Sequence, residues 1–279
     1  MSKRATFGLV LLLGVILNHA QLTQAVNACG SGGVCTCTGT GVSCISKYLT
    51  AIPSEIPVDT TKLTLSFNQI TSISANAFAG LTALTDLQLN NNNITIIPDY
   101  TFANLPALTE LHLFFNPITS ISANSFAGLT VLNLLNSYNC QITSIAANAF
   151  TDLSKLTNMQ MSGNQITSIA PNVFSGMSAL KILYLNGNQI TSISASAFTG
   201  LTALTYLSLD SNQISSIALN AFPGMSALKI LRLNINQITG ISAGVFTDLS
   251  ALKELWLNDN QITSISANAF TGLTALTFL

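Results

Sequence analysis

Residues 180–203 read LKILYLNGNQITSISASAFTGLTA, and this 24-residue phrase decides the fold. Its apolar side chains stand at fixed places: Leu180, Leu183, Leu185, Ile190, Ile193, Phe198 and Leu201. The same skeleton runs nine times, from Thr60 to Ala275, without an insertion or a deletion. Its ninth place is held by Asn68, Asn92, Asn116, Cys140, Asn164, Asn188, Asn212, Asn236 and Asn260. A single unit of that length cannot bury its own apolar face. Stacked copies bury it against one another, which makes a solenoid in which each coil contacts only its neighbours.

Each place in the phrase has a physical role. Leucines at places four and six, with an outward residue between them, spell a short half-buried strand. Asn at place nine turns the chain off that strand. Its amide can satisfy backbone groups of adjacent coils that water does not reach. Ile at places 11 and 14, Phe at 19 and Leu or Met at 22 fill the core from the other side, so Phe78 to Phe270 should stack as one spine. The fold class expected is an α/β solenoid: a right-handed horseshoe with a parallel concave sheet and short helical or irregular convex segments. Block four departs from the pattern, with Ser137 at place six and Cys140 at place nine, and reads as an underpacked seam.

Upstream of the repeats, Cys29, Cys35, Cys37 and Cys44 form a C-x5-C-x-C-x6-C cluster. Residues 1–25 carry Lys3 and Arg4, then an apolar run from Phe7 to Leu17 that is short for a membrane span, then small residues at Thr23-Gln24-Ala25. That is the make-up of a secretory signal peptide. The oxidising compartment it implies favours disulfides over zinc, with three connectivities open from spacing alone. Residues 26–59 are therefore expected to form a disulfide-stapled cap over the first coil, and residues 60–279 the nine repeats plus the start of a tenth. Cys140, the odd cysteine, reads first as a buried small residue, with a reactive thiol or an intermolecular bridge as the alternatives.

The stretch Cys29 to Phe78 carries the cysteine cluster, Leu49-Thr50-Ala51-Ile52-Pro53, Ile56-Pro57, Asp59-Thr60-Thr61 and Asn68-Gln69-Ile70-Thr71. It resembles the N-terminal cap and first repeat of extracellular leucine-rich-repeat proteins. The chain is most similar to the variable lymphocyte receptors of jawless vertebrates; Toll-like receptors, Slit proteins and small leucine-rich proteoglycans share the cap type. The resemblance implies pairing of Cys29 with Cys37 and of Cys35 with Cys44. It also implies recognition work, in immunity or adhesion. Two features differ from the lymphocyte receptors: a first cysteine gap of five residues where three is usual, and repeats reading ITSISANAFTGL.

The nine blocks vary against themselves in one region. Places 11, 14 and 19 are Ile, Ile and Phe throughout. Place five, between the strand leucines, reads Thr64, Gln88, His112, Asn136, Gln160, Tyr184, Ser208, Arg232 and Trp256. Places three, seven and eight are similarly mixed, while the Thr/Ser/Ala-rich convex side is nearly copied from block to block. A solvated strand face is free to vary, yet the convex side is equally solvated and uniform. Exposed Tyr, Trp, Phe and Arg are the residue types that dominate interface hot spots. The expected ligand-binding residues are Tyr138, Tyr184, Tyr206, Arg232 and Trp256, with His112, Phe114 and Phe115 as a second cluster towards the cap. Nine strands at about 4.8 Å make a face roughly 40 Å long, suited to a protein or glycan ligand.

Other chemistries find little material. Charged residues are 7% of the chain, and removing the leader leaves seven Lys/Arg against ten Asp/Glu. That composition predicts no nucleic-acid partner and no electrostatic membrane binding. Outside the leader His112 is the only imidazole, and no nucleophile or carboxylate pair accompanies it, so no catalytic residue, cofactor or metal is expected and the chain is not read as an enzyme. Asn93-Ile94-Thr95 is the only N-glycosylation sequon. Leu279 falls at place four of a tenth block, which predicts a longer natural chain, with any membrane anchor in the segment beyond. The expected function is a secreted or cell-surface recognition protein. A structural matrix or adhesion protein and an inhibitor of a secreted hydrolase are the alternatives. Oligomeric state is left open.

Overall fold

The computed structural model describes residues 27–279. The leader assigned to residues 1–25 lies outside the described residues. Eleven strands form one sheet in chain order. Thr36–Thr38 and Gly41–Ser43 make an antiparallel hairpin, and Gly41–Ser43 then pairs in parallel with Lys62–Thr64. From there every step advances by one block, through Asp86–Gln88, Glu110–His112, Leu134–Asn136, Asn158–Gln160, Ile182–Tyr184, Tyr206–Ser208, Ile230–Arg232 and Glu254–Trp256. Places three, four and five of each block face the same places of the next, as in Ser208 opposite Arg232 and Arg232 opposite Trp256. The expected parallel sheet is present. Its strands are only three residues long, covering places three to five of each block, and block four, with Cys140 at place nine, keeps the same length.

The convex side takes the irregular form. No helix occurs among the described residues, and turns fill the segment between places 15 and 24. Two-residue strands pair there in three places, such as Ser192–Ile193 with Ser216–Ile217. Short polar residues and repeated left-handed positions, including Asn148, Asn172, Asn220 and Asn268, favour turns over helix.

Between the two sides lies one continuous core. The nine phenylalanines stack ring on ring with centroids 5.7–6.4 Å apart along the whole solenoid. The asparagine ladder runs beside them. Asn188 Nδ2 donates to the carbonyls of Met161 and Leu185, and its Oδ1 accepts the Ile166 N–H at 3.1 Å. Seven coils repeat that last bond, from Ile70 to Asn92 through Ile238 to Asn260. At Cys140 the ladder breaks. The thiol donates to Leu113 O at 3.4 Å, but it offers no amide oxygen to the Ile118 N–H. Cys140 and Ser137 are both buried, so this coil sits within the core rather than opening to solvent.

At the N-terminal end, Cys29 bonds Cys37 and Cys35 bonds Cys44. Cys44, Val42 and Leu49 join the apolar core, and Asn68 Nδ2 donates to Cys44 O at 2.8 Å. The disulfide-bonded segment therefore supplies the strand and the apolar surface that cover the first coil.

Candidate functional site: the concave face

Strand alternation sends places four and six into the core and places three and five outward. The parallel register then sets the outward residues of successive coils side by side. Small members of the series, Thr64, Asn136 and Ser208, are buried between larger neighbours, so the aromatic and cationic residues stand above them.

Two clusters result. Towards the cap, Phe114 and Tyr138 stack at 4.6 Å with an interplanar angle of 9°, and Phe115 meets Tyr138 edge-on at 5.3 Å. His112 packs edge-on against Phe114 at 6.2 Å. The other cluster is a ladder of rings and charge. Tyr184 and Tyr206 lie 5.1 Å apart, the Arg232 guanidinium sits 5.9 Å from the Tyr206 ring and 5.1 Å from the Trp256 ring, and Phe278 closes the row 4.5 Å from Trp256. A concave depression of about 580 Å³ joins the clusters. Tyr138, Gln160, Tyr184, Tyr206, Asp210 and Arg232 are among the side chains that line it. Of the eight expected ligand-binding residues, four border this depression and Trp256 flanks it through Arg232. His112, Phe114 and Phe115 form its extension towards the cap. Asn93 is exposed on the turn after the ladder asparagine, away from the sheet.

The electrostatics of the ladder are uneven. Asp210 accepts the Ser208 hydroxyl, and Glu254 accepts the Trp256 Nε1–H at 3.2 Å. Both carboxylates are thus engaged by their neighbours. Arg232 has no ion pair among the described residues, and its buried Nε has no acceptor. Burial pushes the Tyr206 phenol up, against the lowering effect of the Arg232 charge and the Ser208 bond, so it stays a hydroxyl donor at neutral pH.

Three features were not foreseen from sequence. Stacking brings single ligand atoms of Asp86, Glu110 and His112 within 4.8 Å of one another, so the lone imidazole has acidic company. Lys62 Nζ already occupies Asp86 at 2.6 Å, and Gln88 donates to the same carboxylate. Phe278 joins the aromatic row because it is place three of a tenth block, a position the repeat count could have flagged. Place eight is left-handed in all nine coils. Gly, Asn and Asp adopt that conformation with little cost, but Phe67, Phe115 and Ile235 hold φ of 58°, 54° and 54°. All three are exposed, at 58%, 46% and 51%, so burial does not offset their strain.

The family model described as leucine rich repeat matches residues 60–118, 137–190, 157–214, 178–234 and 226–279, well over half of the chain. The chain belongs to the leucine-rich-repeat family. Among curated proteins it is similar to peroxidasin of Drosophila melanogaster, 47% identical over 79 residues, 28% of this chain and 5% of that protein. It is also similar to Toll-like receptor 7 of Mus musculus, 48% identical over 48 residues, 17% of this chain and 5% of that protein. Peroxidasin homolog pxn-2 of Caenorhabditis elegans is 38% identical over 80 residues, 29% of this chain and 5% of that one. The chain thus matches only a small part of each curated relative. The solved TLR13–ssRNA13 complex superposes with a TM-score of 0.76 at 30% identity, covering 83% of this chain and 34% of that one. The fold, with its disulfide-bonded N-terminal end, resembles a Toll-like-receptor type of repeat ectodomain. The composition-based expectation of no nucleic-acid partner gains no support from this neighbour, which is itself an RNA complex.

Proposed function

We propose that this chain is a non-enzymatic recognition module, secreted or displayed at the cell surface, that captures a macromolecular ligand on its concave face. One observation carries the proposal: a constant scaffold gathers Tyr138, Tyr184, Tyr206, Arg232 and Trp256 around a single open depression. Aromatic and arginine anchors on a broad rigid surface suit a protein or glycan partner. Residues 1–25 serve as the leader in this proposal, 26–59 as the cap, and Asn93 as a glycan acceptor that leaves the sheet clear.

The likeness to the TLR13 complex makes single-stranded RNA the competing ligand. Charge weighs against it. Places three, five, seven and eight carry Asp86, Glu110, Asp210, Glu254 and Asp259 against only Lys62 and Arg232, an acidic balance that repels a phosphate backbone.

The test is a parallel probe of extracellular-protein, glycan and single-stranded RNA arrays with three purified forms. These are the native chain, a Tyr184→Ala/Tyr206→Ala/Arg232→Ala/Trp256→Ala variant, and a Gln165→Ala/Gln189→Ala/Gln213→Ala control off the sheet. Protein or glycan signals lost in the first variant and kept in the second support the proposal. Signals lost only in the glutamine control, or kept in both variants, contradict it.

A further inference from the structure

We infer that the concave depression recognises a carboxylate-bearing sugar, with Arg232 as the residue that reads the carboxylate; the inference rests on the concave-face proposal above. Arg232 is the only arginine among the described residues. Its guanidinium is braced between the Tyr206 and Trp256 rings, 5.9 and 5.1 Å away. Two ring faces on either side restrain the guanidinium on the concave sheet. Among the described residues it has no ion-pair partner. Asp210 is engaged by Ser208 and Glu254 by Trp256, no ion pair reaches Arg232, and its Nε is buried without an acceptor. A cation held by two rings without an ion-pair partner suits an anionic ligand, and a carboxylate matches the guanidinium fork with two parallel hydrogen bonds.

The surroundings select the kind of molecule that brings the carboxylate. Gln160, Ser162, Asn186 and Ser208 line the depression with neutral donors and acceptors, and Tyr138, Tyr184 and Tyr206 add ring faces and hydroxyls. On the same face the amide oxygens of Asn136, Asn158 and Asn234 are buried without donors. These three border the depression's sheet without lining it, and the amides that do line it are Asn139, Gln160 and Asn186. Sugar rings provide hydroxyls for the amides and C–H faces for the aromatic rings. The depression, at about 580 Å³, is in the range that accepts a small ligand such as one or two rings. Repeated charge is disfavoured, because Asp210 lies in the same depression and Glu254 flanks it; one carboxylate has a partner here, and a polyanion does not. An acidic peptide would satisfy Arg232, and its N–H groups would serve the amide acceptors, but it brings no sugar ring to lay its C–H face on Tyr138, Tyr184 or Tyr206.

The experiment is calorimetric titration of the full chain with sialyllactose, a glucuronate-ended disaccharide, neutral lactose, the sialyllactose methyl ester, an oligoglutamate peptide and a single-stranded RNA oligomer. At least one acidic sugar should bind, with lactose and the ester weaker by about tenfold or more, the size expected for losing a charged hydrogen-bonded pair. The two acidic probes tell a sialic from a uronic source. Arg232→Met should abolish the preference for the acid over the ester and Arg232→Lys should reduce it, both with the native melting temperature; the lysine variant keeps the charge but not the fork. Equal binding of acid and ester overturns the inference. So does binding of neither acidic sugar, or Arg232-dependent binding of the peptide or the RNA alone. If the quadruple variant loses its array signals while Arg232→Met keeps them, concave capture stands and carboxylate reading falls.

Discussion

At Cys140 a single side chain interrupts a ladder that asparagine otherwise completes. Asparagine both donates and accepts there, whereas the thiol donates weakly and accepts poorly, so the Ile118 N–H loses the acceptor that its seven counterparts have. Burial also pushes the Cys140 thiol up from 9.0 to about 11, against a smaller lowering effect of the Asn116 backbone. The sequence left open a reactive thiol or an intermolecular bridge; a buried, protonated sulfur suits neither. The raised value has a consequence for stability. Below pH 9 the thiol is protonated in both folded and unfolded chains. Between 9 and about 11 only the folded chain keeps the proton, so stability falls as pH rises through that window. Urea titrations from pH 7 to 11 should show the native chain losing stability relative to Cys140→Asn above pH 9, and a parallel pair of curves would refute the shift. Ile235 is a second residue whose cost is local. A β-branched side chain at φ 54° is strained, and asparagine tolerates that conformation. Ile235→Asn should therefore stabilise the fold by about 1 kcal/mol in the same titration. An unchanged or lower midpoint would mean that Ile235 makes up its strain through contacts on the rim.

Among the elements, the phenylalanine spine and the three-residue strands divide the work. Each ring touches the ring before and the ring after, so an interior loss is felt by two neighbours. Phe174 stacks on Phe150 at 6.1 Å and on Phe198 at 6.0 Å and is fully buried. Phe174→Ala should cost about 3–5 kcal/mol, read as a lower urea midpoint. Phe270→Ala should cost less, because Phe270 is only partly buried and stacks on one ring, Phe246. Equal losses at the two positions would show that the spine does not act through its neighbours. The strands contribute differently: with three residues each they cannot pair stably alone, and the sheet exists because the core beneath it sets the register. Block four keeps that register despite Ser137 and Cys140, with Leu135 opposite Leu111 and Met159. Its irregularity is thus a matter of side-chain satisfaction, and the backbone path is conserved through it.

Across the whole molecule, periodicity made most of the architecture legible. The exact 24-residue period fixes which residues face the core, which share the concave sheet and which coils are neighbours, so the residues proposed as ligand contacts could be placed on one face from sequence. What escaped the sequence depends on contacts across coils. Arg232 and Trp256 are 24 residues apart in the chain, and nothing in either block says that the guanidinium lies over the indole or that the nearby carboxylates are engaged elsewhere. The left-handed backbone at place eight escaped because Phe, Ile, Ser, Asn, Asp and Gly share it, and no single residue type marks it. The helical option on the convex side was open because the segment is rich in alanine, and turn-forming Asn and Gly decided against it. Trp256, the only tryptophan in the chain, stands on the proposed ligand face and reports on it directly. The decisive measurement follows its fluorescence while the native chain is titrated with a probe that binds it on the arrays. The emission should shift and change in intensity along the same saturation curve as binding, and ligand should protect it from an added quencher. Saturating binding that leaves the Trp256 spectrum and its quenching unchanged would show that the ligand sits elsewhere.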